Sequence, residues 1–446
     1  MIPNLLRPAR VAAISAAVLL AGCVTYQARP LPSGPHWAAA PTDRSGQPLA
    51  KVDLQQASAL ALRADPDYQA SLIDARISTL QLHAAGLLPD PQLGAGADHP
   101  TTPGYSTGWN AGLNEDLSWL LTRGASMDAA RARHTTTELQ LAWQGWSLAQ
   151  ATAASFVDLW TAQKRCMLLQ HQLDVTKQFS AAYQRALARH DVTLNTASAS
   201  LIDLTDLQSQ LAAAEQAKDA AQARLNHLLG VDPEARYGLV APAPRALPSA
   251  SQLNAALEAL PRTRPDLLAL AAAAHATDAD FRAAVMAQFP GLSVGVNRAG
   301  DTSRVDTTGL SINLNLPIFG RAQANARIAK AARDRAVAEY QARLDQADVE
   351  ARTLYAQLRQ VAHQRRVLQR NLPQLRMLAQ RADRAFHAGN YSGAAWLAVE
   401  RSLIAHELQM LDLNASLTKG EVALAALLGH VPAGATAIPA HGLTSR

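Results

Sequence analysis

The 446-residue sequence is 48% hydrophobic but only 5% aromatic, and its apolar fraction is dominated by alanine and leucine, a helix-forming composition. Its net charge of +5 comes from arginines spread singly along helical stretches, which excludes the basic block of a nucleic-acid module. Of its two cysteines, Cys23 and Cys166, the first belongs to an export signal, so a disulfide framework within the mature chain is excluded and stability has to come from packing.

The chain opens with Arg7 and Arg10 ahead of a short apolar stretch, residues 11–20. That stretch is too brief for a bilayer span, which takes about 20 residues. It closes on Leu20-Ala21-Gly22-Cys23, which resembles the lipobox of bacterial lipoproteins. The resemblance implies that the Cys23 thiol is diacylated and becomes the mature N-terminus. It also implies delivery to the outer membrane, because Val24 stands where an aspartate would retain the product at the inner membrane.

A helix of moderate length then runs to Leu88-Pro89, where proline withholds its N–H and ends it. Two stretches with strand character follow, joined by residues 99–107. Trp109 and Trp119, ten residues apart, are expected on one face of a strand. At about 3.3 Å per residue and a tilt near 45° they stand roughly 23 Å apart along a membrane normal, the spacing of two aromatic girdles. Glu115 falls on the same face, so this reading requires either a bulge or a different face toward lipid. A very long helix, a turn at residues 189–193 and a further helix lead to Leu228-Leu229-Gly230.

After a proline-bearing linker over residues 231–262, with a short helix near 252–260, the order repeats. A helix over 266–288 stops at Phe289-Pro290-Gly291. Leu292, Val294 and Val296 alternate with Ser293, Gly295 and Asn297; Leu310, Ile312, Leu314 and Leu316 alternate with Ser311, Asn313 and Asn315. Period two is a strand pattern. Residues 300–307 join these strands. From Gly320 an alanine-rich run extends to His387, interrupted only by Pro373, which is expected to bend it. About 67 residues at about 1.5 Å each make a rod on the order of 100 Å. After a turn at 388–392, a helix over 392–428 ends at Leu427-Leu428-Gly429. The last and first helices of the copy, end to end, match that rod in length.

The chain is therefore a duplication. Leu228-Leu229-Gly230 recurs 199 residues on, and the same displacement carries Pro66-Asp67 onto Pro265-Asp266, Phe156 onto Tyr355 and Arg189-His190-Asp191 onto Ala388-Gly389-Asn390. Its organisation reads as a signal peptide over 1–22, a lipid-anchored arm over 23–50, a first repeat over 51–230, the linker, a second repeat over 263–430 and a tail over 431–446. Four strands cannot close a transmembrane barrel, since those have eight or more, so the chain must assemble.

The order helix, strand, strand, long helix, helix, written twice, with the strand Gly309-Leu310-Ser311-Ile312-Asn313-Leu314-Asn315-Leu316-Pro317-Ile318-Phe319-Gly320 leading into the long helix, resembles the TolC family of outer-membrane efflux proteins. The resemblance spans about residues 53–429. The lipobox makes it similar to the lipoprotein branch, and Gly86-Leu87-Leu88-Pro89-Asp90-Pro91 is similar to the branch serving heavy-metal pumps. It implies a mainly α fold with transmembrane β: a homotrimer whose twelve strands form one outer-membrane barrel, continued by a periplasmic barrel of twelve helices. It implies a gated exit duct for small toxic solutes such as drugs or heavy-metal ions, set in outer-membrane lipid and served by a periplasmic adaptor and an inner-membrane pump of RND type.

The resemblance also implies that the tunnel closes at the turns. Arg185 and Asp191 in the first copy, with Asp383, Arg384, Gly389, Asn390 and Tyr391 in the second, are the gate candidates; Gly389 permits a positive φ at a helix end. Family members with a ring of aspartates carry them just after the second turn, where this sequence has Ala395 and Ala398. The resemblance implies that substrate passes without chemistry; no cofactor, metal ligand set, catalytic motif or Walker loop is recognisable, and energy is expected to come from a partner. Two rival readings remain: a periplasmic adaptor, which carries one hairpin in a β-rich body, and an unrelated structural lipoprotein.

Overall fold

The computed structural model describes residues 26–43, 45–242 and 246–432. The expected signal peptide, Cys23 and almost all of the C-terminal tail lie outside the described residues. Residues 26–37 belong to a separate unit and contain neither helix nor strand. The second unit holds everything that follows.

That unit begins with β1 (Lys51–Val52) and α1 (Leu54–Ala64). Asp53 and Gln56 cap α1 reciprocally: the Asp53 carboxylate accepts from Gln56 N at 2.7 Å, and the Gln56 amide oxygen accepts from Asp53 N at 3.0 Å. Next come α2 (Pro66–Gly86), β2 (Gln92–Asp98), β3 (Gly108–Asp116), α3 (Trp119–Ala188) and α4 (Leu194–Leu228). After β4 (Gly238–Leu239), parallel to β1, the series is rewritten as α5 (Ala250–Thr263), α6 (Pro265–Met286), β5 (Gly291–Gly300), β6 (Asp306–Asn315), α7 (Arg321–His387) and α8 (Gly393–Leu427). Ser249 and Gln252 cap α5 as Asp53 and Gln56 cap α1, which carries the repeat back into the segment read as linker. Proline opens both α2 and α6, where its missing N–H costs nothing.

The long helices contain 70 and 67 residues, and α7 passes through Pro373 without interruption. In each repeat the two shorter helices meet end to end. Gly230 (φ +63°) follows α4, and a Cβ there would stand 2.7 Å from the Ala64 Cβ; Gly429 (φ +78°) follows α8 and abuts Thr263 in the same way. The repeated Leu-Leu-Gly is thus the coupling between rods: its glycine supplies the left-handed turn and the space for the next helix to begin. In the first repeat, fully buried Asn226 organises the exit. Its amide nitrogen donates to the carbonyls of Asp232, Pro233 and Ala235 at 3.0 Å, while its oxygen accepts from Tyr237 Oη at 2.8 Å and Gln222 Nε2 at 3.0 Å.

Side by side, the rods run α2/α4, α3, α6/α8, α7. The repeats are joined along α3 by ion pairs: Arg133 to Asp280, Arg165 to Asp412, and Lys419 to Asp158 at 2.6 Å. The largest core cluster packs Leu253, Leu257 and Leu260 of α5 on Ala347, Ala351 and Leu358 of α7 and Leu417 and Leu424 of α8. Its first-repeat counterpart packs Leu60 and Ala61 against Phe156, Leu159 and Leu225.

Candidate functional site: a two-faced sheet and the hairpin tips

The four longer strands form one antiparallel sheet in the order β2-β3-β5-β6, so β2 and β6 are open edges. Pairing puts Leu93, Leu113, Val296 and Leu310 in one row across all four strands. Ala95, Ala111, Ile312, Leu314 and Val294 share that face, and Leu93, Leu310 and Ile312 are exposed on it by 80%, 72% and 65%. The other face carries Gly94, Asn110, Gly112, Asn114, Gly295, Asn297, Ser311 and Asn313. An exposed apolar face backed by amides and glycines suits a sheet between lipid and an aqueous lumen.

Two expectations need correction. Trp119 is not on a strand: β3 ends at Asp116, and Trp119 is the first residue of α3, with the Arg123 guanidinium 5.1 Å from its ring centre. The strand stops because the Asp116 side chain accepts from Ser118 N at 2.8 Å and turns the chain. Trp119 therefore cannot mirror Trp109 across one strand. Nor does a bulge rescue Glu115, since the β3–β5 register is uninterrupted from Trp109↔Gly300 to Asp116↔Ser293. Glu115 stays on the apolar face, as does Arg298 opposite Ala111. Trp109 keeps its place at the loop end, 42% exposed. The aromatic residues at the other end are Phe289 and Phe319, exposed by 59% and 94%, where the sheet meets the helices.

At the far end of the rods are the tips of the α3–α4 and α7–α8 hairpins. Gly389 has φ +75°, and Asn390 N donates to Ala385 O at 2.8 Å; in the first repeat His190 adopts φ +60°, and Asp191 N donates to Ala186 O at 2.9 Å. The two turns share one conformation although only one has glycine. His190→Gly is accordingly expected to stabilise the first hairpin by about 1 kcal/mol, read as a higher melting temperature. A lower one would contradict it.

Of the seven gate candidates, the four charged ones find their partners close by. Arg185 Nε donates to Ala181 O at 3.3 Å, Asp191 accepts from Arg189 at 3.1 Å, Asp383 meets His387 at 3.4 Å, and Arg384 Nε donates to Gln380 O at 3.3 Å. Among the described residues, no hydrogen bond or ion pair joins any of the seven to the opposite hairpin. Tyr391 lines an apolar cavity of about 330 Å³ with Leu375, Leu378, Ala395, Ala398 and Val399.

The hairpins meet instead through side chains that sequence reasoning missed. Phe179 of α3 stacks on Trp396 of α8, with ring centres 4.9 Å apart, and Trp396 stacks on Phe386 of α7 at 5.2 Å. Asp203 of α4 pairs with Arg401 of α8 farther from the turns. The available signal was scarcity: the chain has only six Phe and seven Trp, yet three of them lie within a dozen residues of a tip.

The outer membrane efflux protein family model matches residues 256–430. The second repeat is thus similar to outer membrane efflux proteins. It is 28% identical over 354 residues to the cation efflux system protein CusC of Escherichia coli strain CFT073, covering 74% of each chain. Over 176 residues it is 29% identical to the probable outer membrane lipoprotein SilC of Salmonella typhimurium, covering 37% of this chain and 38% of that one. The crystal structure of the Campylobacter jejuni CmeC outer membrane channel shares the fold with a TM-score of 0.73 at 17% identity, over 86% of each chain.

One titrating group in this chain sits between the hairpins. Burial raises the Glu400 carboxyl above its ordinary value; His171 on α3 opposes the shift, and Asp383 on α7 and Glu407 on α8 add to it. The folded chain therefore binds the proton more tightly than the unfolded one. Stability is highest below the unfolded value and falls as pH rises through the folded one. Glu400→Gln is expected to raise the melting temperature at pH 7 more than at pH 4. An equal effect at both would exclude the carboxyl as the source.

Proposed function

We propose that this chain is the exit duct of a tripartite efflux system, a passive gated conduit through the periplasm and outer membrane for small toxic solutes such as drugs or heavy-metal ions. The observation that carries this reading is the two-faced sheet with two open edges, set on parallel rods whose outermost members are α2/α4 and α7. Head-to-tail contact of β6 with the next copy's β2 is a heterologous contact that closes as a ring. Three copies close it with twelve strands, within the range of transmembrane barrels, and leave no edge. The apolar face then meets lipid. From Arg298 to Phe289, nine residues at about 3.3 Å and a tilt near 45° rise about 21 Å, close to the height of an outer-membrane apolar band. Trp109 and Arg298 stand at one border, Phe289 and Phe319 at the other.

No helix among the described residues is long and apolar enough to cross a membrane, and a barrel requires none. No group of three or more His, Cys, Asp or Glu that would hold a metal occurs among them either; heavy-metal ions enter this reading as cargo. CusC, a cation efflux protein, supports that cargo class. Acylated Cys23 anchors the chain, in keeping with the lipoprotein SilC. The partners are a periplasmic adaptor and an inner-membrane pump of RND type, which supplies the energy; the duct performs no chemistry.

The test is to extract the mature protein from outer membranes in mild detergent, determine its stoichiometry and record conductance in planar bilayers. A trimer with pores is expected. A monomer from the inner-membrane fraction without conductance would overturn the reading in favour of an adaptor.

A further inference from the structure

We propose that Phe179, Phe386 and Trp396 form an aromatic latch that holds the two hairpins of each copy together and so keeps the duct shut at its periplasmic end. The inference rests on the reading of the chain as a duct. Phe179 belongs to the first repeat's hairpin, Phe386 and Trp396 to the second's. The three rings touch pairwise, the Phe179–Phe386 centres being 5.3 Å apart. Ala382, Leu397, Val175 and Val399 surround them, and Trp396 is buried. Gly393 admits this packing, since a Cβ there would stand 2.7 Å from Phe179 Cε1. Nearer the turns the charged candidates are bonded within their own hairpins, whereas the rings tie one hairpin to the other.

A second observation makes this layer a latch as well as a core. The closed contact buries one polar atom without a partner, Trp396 Nε1. It is hydrated when the hairpins separate, so closure carries a desolvation cost that ring stacking and apolar burial offset. Opposed terms within one contact leave separation of the hairpins accessible.

The test uses the assembled full-length protein in detergent and in planar bilayers. Spin labels at Arg189→Cys and Asn390→Cys, in a Cys166→Ser background, report the separation of the two tips. Phe179→Ala and Trp396→Ala are expected to widen that distance and to raise mean conductance at least tenfold, whereas Trp396→Phe, which retains a ring, stays within twofold of the parent. Phe179→Leu, which keeps volume and removes stacking, gives an intermediate rise and serves if the alanine variants fail to fold. An unchanged label distance in folded Phe179→Leu or Phe179→Ala would overturn the latch. Widening in a protein that never conducts would overturn the duct reading and leave the latch standing.

Discussion

Asp266→Ala is expected to cost the second repeat about 3–5 kcal/mol, the range for breaking a buried ion pair by removing one partner. Arg264 is fully buried where α8 ends and α6 begins. Its Nε and Nη2 donate to the two Asp266 oxygens at 2.9 and 2.6 Å, its Nη1 donates to Leu427 O at 3.3 Å, and its guanidinium lies 5.1 Å from the Trp143 ring centre. Arg343 adds a second cation, 2.8 Å from Asp266, and reaches Glu350 at 3.3 Å. Without Asp266, Arg264 keeps one carbonyl and an aromatic face but faces Arg343 with no anion between them. The double replacement Arg264→Met with Asp266→Leu removes both charges and is expected to cost less than Asp266→Ala alone. Denaturant unfolding followed by tryptophan fluorescence reads both; a loss below about 1 kcal/mol for Asp266→Ala would show that Arg343 and the carbonyl suffice.

Val296→Arg is expected to impair barrel assembly, and Asn313→Arg to leave it nearly intact. Val296 sits between Leu113 and Leu310 in the central apolar row; Asn313 lies opposite Ser293 on the amide face. An arginine near the bilayer midplane costs about 2–4 kcal/mol per copy, whereas one facing an aqueous lumen remains hydrated. The yield of assembled protein in outer membranes and its resistance to detergent at raised temperature distinguish the two. The reverse order would turn the sheet inside out and move Glu115 and Arg298 to the lumen. Equal tolerance of both would deny the sheet any contact with lipid.

The repeat, the long helices and the alternation of the strands were legible in the linear chain because each is a local regularity. Proline at the start of α2 and α6, glycine after α4 and α8, and period two from Leu310 to Leu316 act on neighbours within a few residues. Trp119 was misplaced for the same reason: counting by two from Trp109 takes no account of Asp116, whose side chain accepts from Ser118 N and ends the strand. Four of the seven gate candidates near the turns are charged, and their bonds are local, as Arg189–Asp191 and Asp383–His387 show.

By itself the sequence determined the architecture: two copies of one unit, rods too long for a globular core, and strands of period two. Such features follow from backbone sterics and hydrophobic periodicity, which act along the chain. Only the tertiary structure decided which residues meet across repeats. Phe179 reaches Trp396 over more than two hundred positions, Arg264 finds the carbonyl of Leu427, and Leu93, Leu113, Val296 and Leu310 fall into one row. These contacts depend on the order of the rods and the register of the strands. Neither is written in any local pattern, because packing selects them only when all the elements are present together.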